Sequence, residues 1–216
     1  MTELRVEYHQ RLREIDAAVQ QMISVVEQDI VSAGKAFLEA DSTLADAVEA
    51  NDDIVEDTHE QVEQLVLNQF VRQAPVANEL RFLLAVFRIL PELIGAHERA
   101  VQIARRGVSG LAAELPDRVR RLISQQVDAA ADMWRRVGKV YMSGSAEIAD
   151  DTEADDDELD ELYASLSAEL ASANLRTPVL MEMGLIARFL ERLGDHAVET
   201  ARQIETLSRP PDLNTE

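Results

Sequence analysis

Apolar residues recur at every third or fourth position along almost the whole chain, a period that amphipathic helices satisfy and strands do not. The first run passes through Val6, Leu12, Ile15, Val19, Met22, Val26, Ile30 and Phe37, and predicts one helix of about thirty residues. Asp41-Ser42 supplies a cap, and a second run continues through Leu44, Val48, Ile54, Val62, Leu65 and Phe70. Pro75 breaks that run and suits the first turn of a third helix over 76–106. A loop at 107–110 follows. Pro116 opens a fourth helix to 142, Ser143-Gly144-Ser145 makes a turn, and a fifth helix runs to 171. Thr177-Pro178 opens the sixth, which ends before Pro210-Pro211. Eight glycines and six prolines in 216 residues leave the helices few breakers. The predicted fold class is all-α.

The halves repeat one another. The stretch from Leu44 to Asp53 aligns without a gap on the stretch from Ile148 to Asp157, and Pro75-Val76 aligns on Pro178-Val179. Arg88-Ile89-Leu90-Pro91-Glu92-Leu93-Ile94-Gly95 aligns on Arg188-Phe189-Leu190-Glu191-Arg192-Leu193-Gly194 after one insertion. Three blocks in order, each on the same helix, predict two tandem three-helix bundles related by internal duplication, spanning 1–107 and 108–216.

Charge and cysteine usage then exclude whole classes of function. A formal net charge of -20 opposes binding to nucleic acid through its phosphates. The chain has no cysteine, so disulfides and thiolate metal sites are excluded, and any metal would take oxygen or imidazole ligands. The opening MTELRVEYHQ lacks the basic and apolar pattern of a secretion signal, and the uncharged apolar runs are too short to span a bilayer. The chain reads as soluble and cytoplasmic.

The acids are not evenly spread. A run at 147–161 is dense in carboxylates, and within it Asp156 and Asp160 stand four apart; Glu191 and Asp195 do the same on the sixth helix. That spacing stacks like charges on one helix face, where they repel by a few tenths of a kcal/mol per pair, roughly. Solvent or a cation must offset the repulsion. Residues 147–155 read as a solvated face. Fifth and sixth helices are neighbours in an up-down-up bundle, so Asp156, Asp160, Glu191 and Asp195 could converge, with Glu161 at the margin. Such a set suits magnesium, manganese, calcium or ferric iron, and zinc if His196 joins. A ferritin-type di-iron core would need Glu-x-x-His from each of two helices, and the chain does not offer that pair. Gly194, in mid-helix, suits a close approach by a neighbouring helix.

In the first half Asp52 and Glu56 keep the four-residue spacing, but their partner helix departs from it. One register offers Glu92 and puts Ala96 where the second acid belongs; the gapless register offers Glu98 and puts Ile94 at the first. Either loses a carboxylate, so Asp52, Glu56, Glu92 and Glu98 are expected to make a weaker site or none, with His97 a substitute ligand. Pro91 predicts a kink or a displaced turn in that helix. Arg105, Arg106, Arg118, Arg120, Arg121, Arg135 and Arg136 concentrate basic charge around the third and fourth helices. Pairing with the abundant acids is the simpler reading of them, and docking to an acidic partner the other. Trp134, Phe82, Phe87 and Phe189 are expected in the core or between the repeats.

Gln73-Ala74-Pro75-Val76-Ala77-Asn78-Glu79-Leu80-Arg81 resembles the signature that opens the third helix of PhoU proteins. Leu190-Glu191-Arg192-Leu193-Gly194-Asp195-His196-Ala197-Val198 is very similar to a tract in that family's last helix, and the residues from Asp156 to Tyr163 resemble the acidic start of its fifth. The Ala74 between Gln73 and Pro75 is like the actinobacterial, PhoY-like members. The resemblance implies a non-enzymatic cytoplasmic regulator of phosphate uptake. It would restrain the phosphate ABC transporter through its ATPase subunit and signal to a membrane sensor histidine kinase, keeping the starvation response off when phosphate is plentiful. It also implies a homodimer and, in some members, iron, zinc, manganese or magnesium on the acidic motifs. Gln73, Pro75, Glu79 and Arg81 would face a partner or fix the helix start. The competing readings are a helical adaptor or chaperone unrelated to phosphate, and a metal-dependent enzyme, for which no nucleophile or base is evident.

Overall fold

The structure is a computed structural model and describes residues 2–73, 75, 77–143 and 146–206, with side chains over 6–72, 75, 78–143 and 155–205. Six long helices account for nearly all of it: α1 (Thr2–Glu39), α2 (Ser42–Gln73), α3 (Ala77–Gly107), α4 (Asp117–Ser143), α5 (Ala146–Ser172) and α6 (Thr177–Thr206). No strand occurs among the described residues. The predicted helices are all present. The unforeseen element is a single 3₁₀ turn, Leu111–Glu114, in the link between the halves.

Local chemistry fixes the ends. Ala40 takes a left-handed conformation (φ 55°) and closes α1, with the Asp41 amide donating to the Ala36 carbonyl at 3.1 Å. Asp41 then caps α2 as predicted, its Oδ1 accepting from the Thr43 amide at 2.9 Å and the Leu44 amide at 3.2 Å. Helix α3 runs through Pro91 without a break. Pro91 cannot donate to the carbonyl of Phe87, and both residues lie on the exposed face, where water can serve that oxygen.

Each half packs as a three-helix bundle: α1, α2 and α3 touch one another, as do α4, α5 and α6. The halves join along α1–α4 and α3–α6, and one apolar core runs through both. Trp134 and Phe82 are fully buried in it, while Phe189 is partly buried beneath the Arg106 guanidinium, which stands 5.0 Å from its ring centre. Phe87 corrects the expectation of a core aromatic: it is 40% exposed, because it falls on the outer face of α3 with Leu80 and Pro91.

Burial also decides how the repeats superpose. In the gapless register every described buried residue of α6 falls on a buried residue of α3; Val179 lies on Phe82, Leu190 on Leu93 and Ala201 on Ala104. The register with the insertion fails this test, since it lays buried Ala187 on exposed Phe87. Glu98 is therefore the counterpart of Asp195, Ile94 of Glu191 and His97 of Gly194. Helices α4 and α5 superpose on α1 and α2 without gaps, Trp134 on Ile30 and Leu159 on Val55.

Candidate functional site

The second-half acids sit on facing helices, as the spacing implied. Asp156 and Glu191 are partly buried, whereas Asp160, Glu161 and Asp195 are exposed. Burial raises the Asp156 carboxyl to about 6, with the charges of Asp160, Asp195 and Asp157 adding to the rise and Arg202 opposing it. Burial also raises Glu191, helped by Asp195 and Asp160 and opposed by Arg188 and Arg192. Asp156, Asp160, Glu191 and Asp195 thus form one coupled patch. Glu161 stays outside it. The acid run at 147–154 has its side chains outside the described residues.

Three features hold the patch in place. Gly194 lets α5 approach α6: a Cβ there would lie 2.6 Å from Leu159 Cδ2 and 2.9 Å from Asp156 Oδ1. Trp134 on α4 donates its indole N–H to the Leu193 carbonyl at 3.0 Å, in the buried interior beside Gly194. Arg136 on α4 holds Asp155 on α5, Nε to Oδ2, at 2.7 Å. Glu191 is held on one side by Arg188, Nη1 to Oε1 at 2.5 Å, and its Oε2 is buried without a hydrogen-bond partner. Among the described residues no three of histidine, aspartate and glutamate stand together in an arrangement that would hold a metal ion. What the patch offers is hard oxygen donors and negative charge that Arg188, Arg192 and Arg202 offset only in part, which fit a hard cation.

The first-half acids are dispersed. Glu56 is exposed. Glu92 leaves the set and meets His196 on α6, Oε2 to Nδ1 at 2.7 Å, across the seam between the halves. Glu98 is exposed and pairs with its neighbour Arg99 at 3.1 Å. Asp52 faces His97, whose Nε2 lies 3.3 Å from Asp52 Oδ1 and whose Nδ1 lies 3.0 Å from Oδ2 of Asp29 on α1. Asn51 donates to the other oxygen of Asp29 at 2.7 Å. His97 is 2% exposed and Asp29 3%. Neither the His97 bridge nor the His196–Glu92 contact was foreseen. The available signal was a charge in an apolar stripe: Asp29 lies three residues after Val26, and His97 four after Leu93.

At the start of α3, Glu79 is engaged from α1: the Tyr8 hydroxyl donates to Oε2 at 3.1 Å, and His9 Nε2 stands 3.8 Å from Oε1. Arg81 is exposed and Pro75 partly buried, while the Gln73 side chain lies outside the described residues. Most of the arginines pair with acids. Arg105 meets Glu49 at 3.0 Å, Arg106 meets Glu182 at 3.1 Å, Arg118 meets Glu169 at 2.7 Å and Arg135 meets Glu27 at 2.8 Å. Arg120 instead donates to the carbonyls of Ala112 and Leu38 at 2.7 and 2.8 Å, tying the inter-half link to α1.

Comparison with known proteins meets the same two-part layout. A family model described as the PhoU domain matches residues 19–107 and again 123–204. "Phosphate-specific transport system accessory protein PhoU homolog 1" of Mycobacterium tuberculosis is 30% identical, over 93% of this chain and 92% of its own length. The PhoU homolog of Rhizobium meliloti (strain 1021) is 25% identical, over 91% of this chain and 85% of its own. Among solved structures, PhoU from Pseudomonas aeruginosa superposes with a TM-score of 0.85 at 22% identity, covering 93% of this chain and 98% of that one. PhoU from Streptococcus pneumoniae does so at 0.81 and 16% identity, covering 93% and 96%. With both repeats matched and the sequence likeness extending along nearly all its length, the chain belongs to the PhoU family.

Proposed function

We propose that this chain is an accessory regulator of phosphate transport that acts by protein contact rather than by catalysis. The supporting observation is the family membership of both repeats, whose relatives carry the name of phosphate-specific transport system accessory proteins. Asp160 and Asp195 of the acidic patch lie on exposed helix faces, which favours a contact and cation surface over a closed active site. Its partners are the ATPase subunit of the phosphate ABC transporter and a membrane sensor histidine kinase, and it works as a homodimer in the cytoplasm. No described helix is long and apolar enough to cross a membrane, so the chain reaches the membrane through those partners.

Asp156, Asp160, Glu191 and Asp195 draw together around a divalent or iron cation, which offsets the burial of Asp156 and the repulsion among the four acids and clamps α5 to α6. Deleting the gene tests the regulatory role: phosphate-starvation promoters should then stay active in rich phosphate, and unaltered expression would sink the proposal. Metal analysis of the purified chain beside its Asp156→Ala/Asp195→Ala variant tests the cation. Equal metal in the two rejects it.

A further inference from the structure

In the superposed repeats, the residues around Gly194 have first-half counterparts of different chemistry. A Cβ on Gly194 would meet Leu159, Asp156 and Met133. Their counterparts are Val55, Asp52 and Asp29, and the counterpart of Gly194 itself is His97. The same point in the fold is thus bare backbone in one half and an imidazole in the other. That imidazole hydrogen-bonds Asp29 through Nδ1 at 3.0 Å, and its buried Nε2, which makes no hydrogen bond, stands 3.3 Å from Asp52 Oδ1. Arg105 adds its guanidinium on the outer side, with Nη2 at 4.0 Å from Asp52 Oδ2.

We propose that His97 takes the place of a cation in the first half: it bridges Asp29 and Asp52, ties α1 and α2 to α3, and closes the first-half acidic motif to metal ions. The inference rests on the cation reading of the second-half patch, and confines that cation to one half of the chain. Asp52 is the aspartate a first-half site would need, and it is already engaged. A metal ion there would have to displace a ring that is 2% exposed and is held from its other side by a buried aspartate. Ile94 in place of Glu191 removes a further ligand. In the second half Met133 and Gly194 offer neither charge nor ring at these two positions, so Asp156 has no counterpart of the His97 contact. The two acidic motifs look alike in sequence and differ in what balances them.

Equilibrium dialysis with Mn²⁺ on the full chain tests this. With the second-half patch removed by Asp156→Asn/Asp195→Asn, the chain should retain no Mn²⁺. Adding Asp29→Met/His97→Gly gives the two positions that flank Asp52 the residues of the second half, while Ile94 stays in place of Glu191. Mn²⁺ affinity should then rise by about tenfold or more, and Asp52→Asn should abolish the gain. Mn²⁺ held by the patch-deleted chain and released by Asp52→Asn overturns the proposal, and so does the absence of a gain. The Mn²⁺ lost between the unmodified and the patch-deleted chain reports on the second half by itself, so failure there is told apart from failure here. Thermal melts provide an arm free of metal. His97→Gly alone leaves buried Asp29 without its imidazole and should melt lower than the Asp29→Met/His97→Gly double. The reverse order refutes the bridge.

Discussion

Asp156 carries the strain of the acidic patch. Its carboxyl lies at about 6 in the folded chain, well above the ordinary aspartate value, because it is partly buried and surrounded by like charge. The folded state therefore holds that proton more tightly than the unfolded state. The group's stabilising contribution is complete below the ordinary aspartate range and is lost as pH rises through about 6. In chelator-treated protein, Asp156→Asn should raise the melting temperature at pH 7 and flatten its decline between pH 4 and pH 7. Calorimetry over a pH series checks this; a variant that melts lower at pH 7 would mean that the carboxylate makes a favourable contact. The four-residue spacing made this group legible as a candidate, since a helix stacks such pairs on one face. Its burial was not legible, because that depends on how closely α5 lies against α6.

That approach is a property of the elements, and Gly194 controls it. An alanine there would gain about 1 kcal/mol of helix propensity. Its Cβ would also stand 2.6 Å from a methyl of Leu159, which is fully buried, and 2.9 Å from an Asp156 oxygen. Overpacking a tight core contact costs about 1–3 kcal/mol, so the clash wins. Gly194→Ala should destabilise the chain by roughly 1 kcal/mol in urea denaturation and weaken any cation stabilisation at the patch; an equal or greater stability would place the α5–α6 contact elsewhere. The helices themselves were almost fully readable, because period, caps and proline positions are local. The register between the copies of the third helix was not. Sequence likeness favoured an insertion that pairs Glu92 with Glu191, while burial favours the gapless count that pairs Ile94 with Glu191.

Across the whole molecule, the halves meet where α3 packs on α6, and the contact between Glu92 and His196 stands at that seam. The ring of His196 lies over Gly95, where a Cβ would come within 2.7 Å of it. The pair is about three-quarters buried, so solvent screens its coupling less than that of a surface pair. A double-mutant cycle of Glu92→Ala and His196→Ala should give a coupling of roughly 1 kcal/mol in unfolding; additive effects would reduce the contact to coincidence. His196 adjoins Asp195, so the same residue tract serves the patch on one side and the seam on the other. Arg106 strengthens the far end of the seam through Glu182 and the face of Phe189.

The amino-acid sequence by itself determined six helices, the Asp41 cap of α2, the duplication, and the facing acid pairs of the second half. Each follows from spacing along one chain, which the helical period converts directly into a face. Only the tertiary structure decided which charges balance which. Asp29 and His97 are 68 residues apart and Glu92 and His196 are 104 apart, and no periodicity links such distances. Their pairing is set by the packing of one helix on another, and it separates two similar acidic motifs into an open patch and a closed bridge.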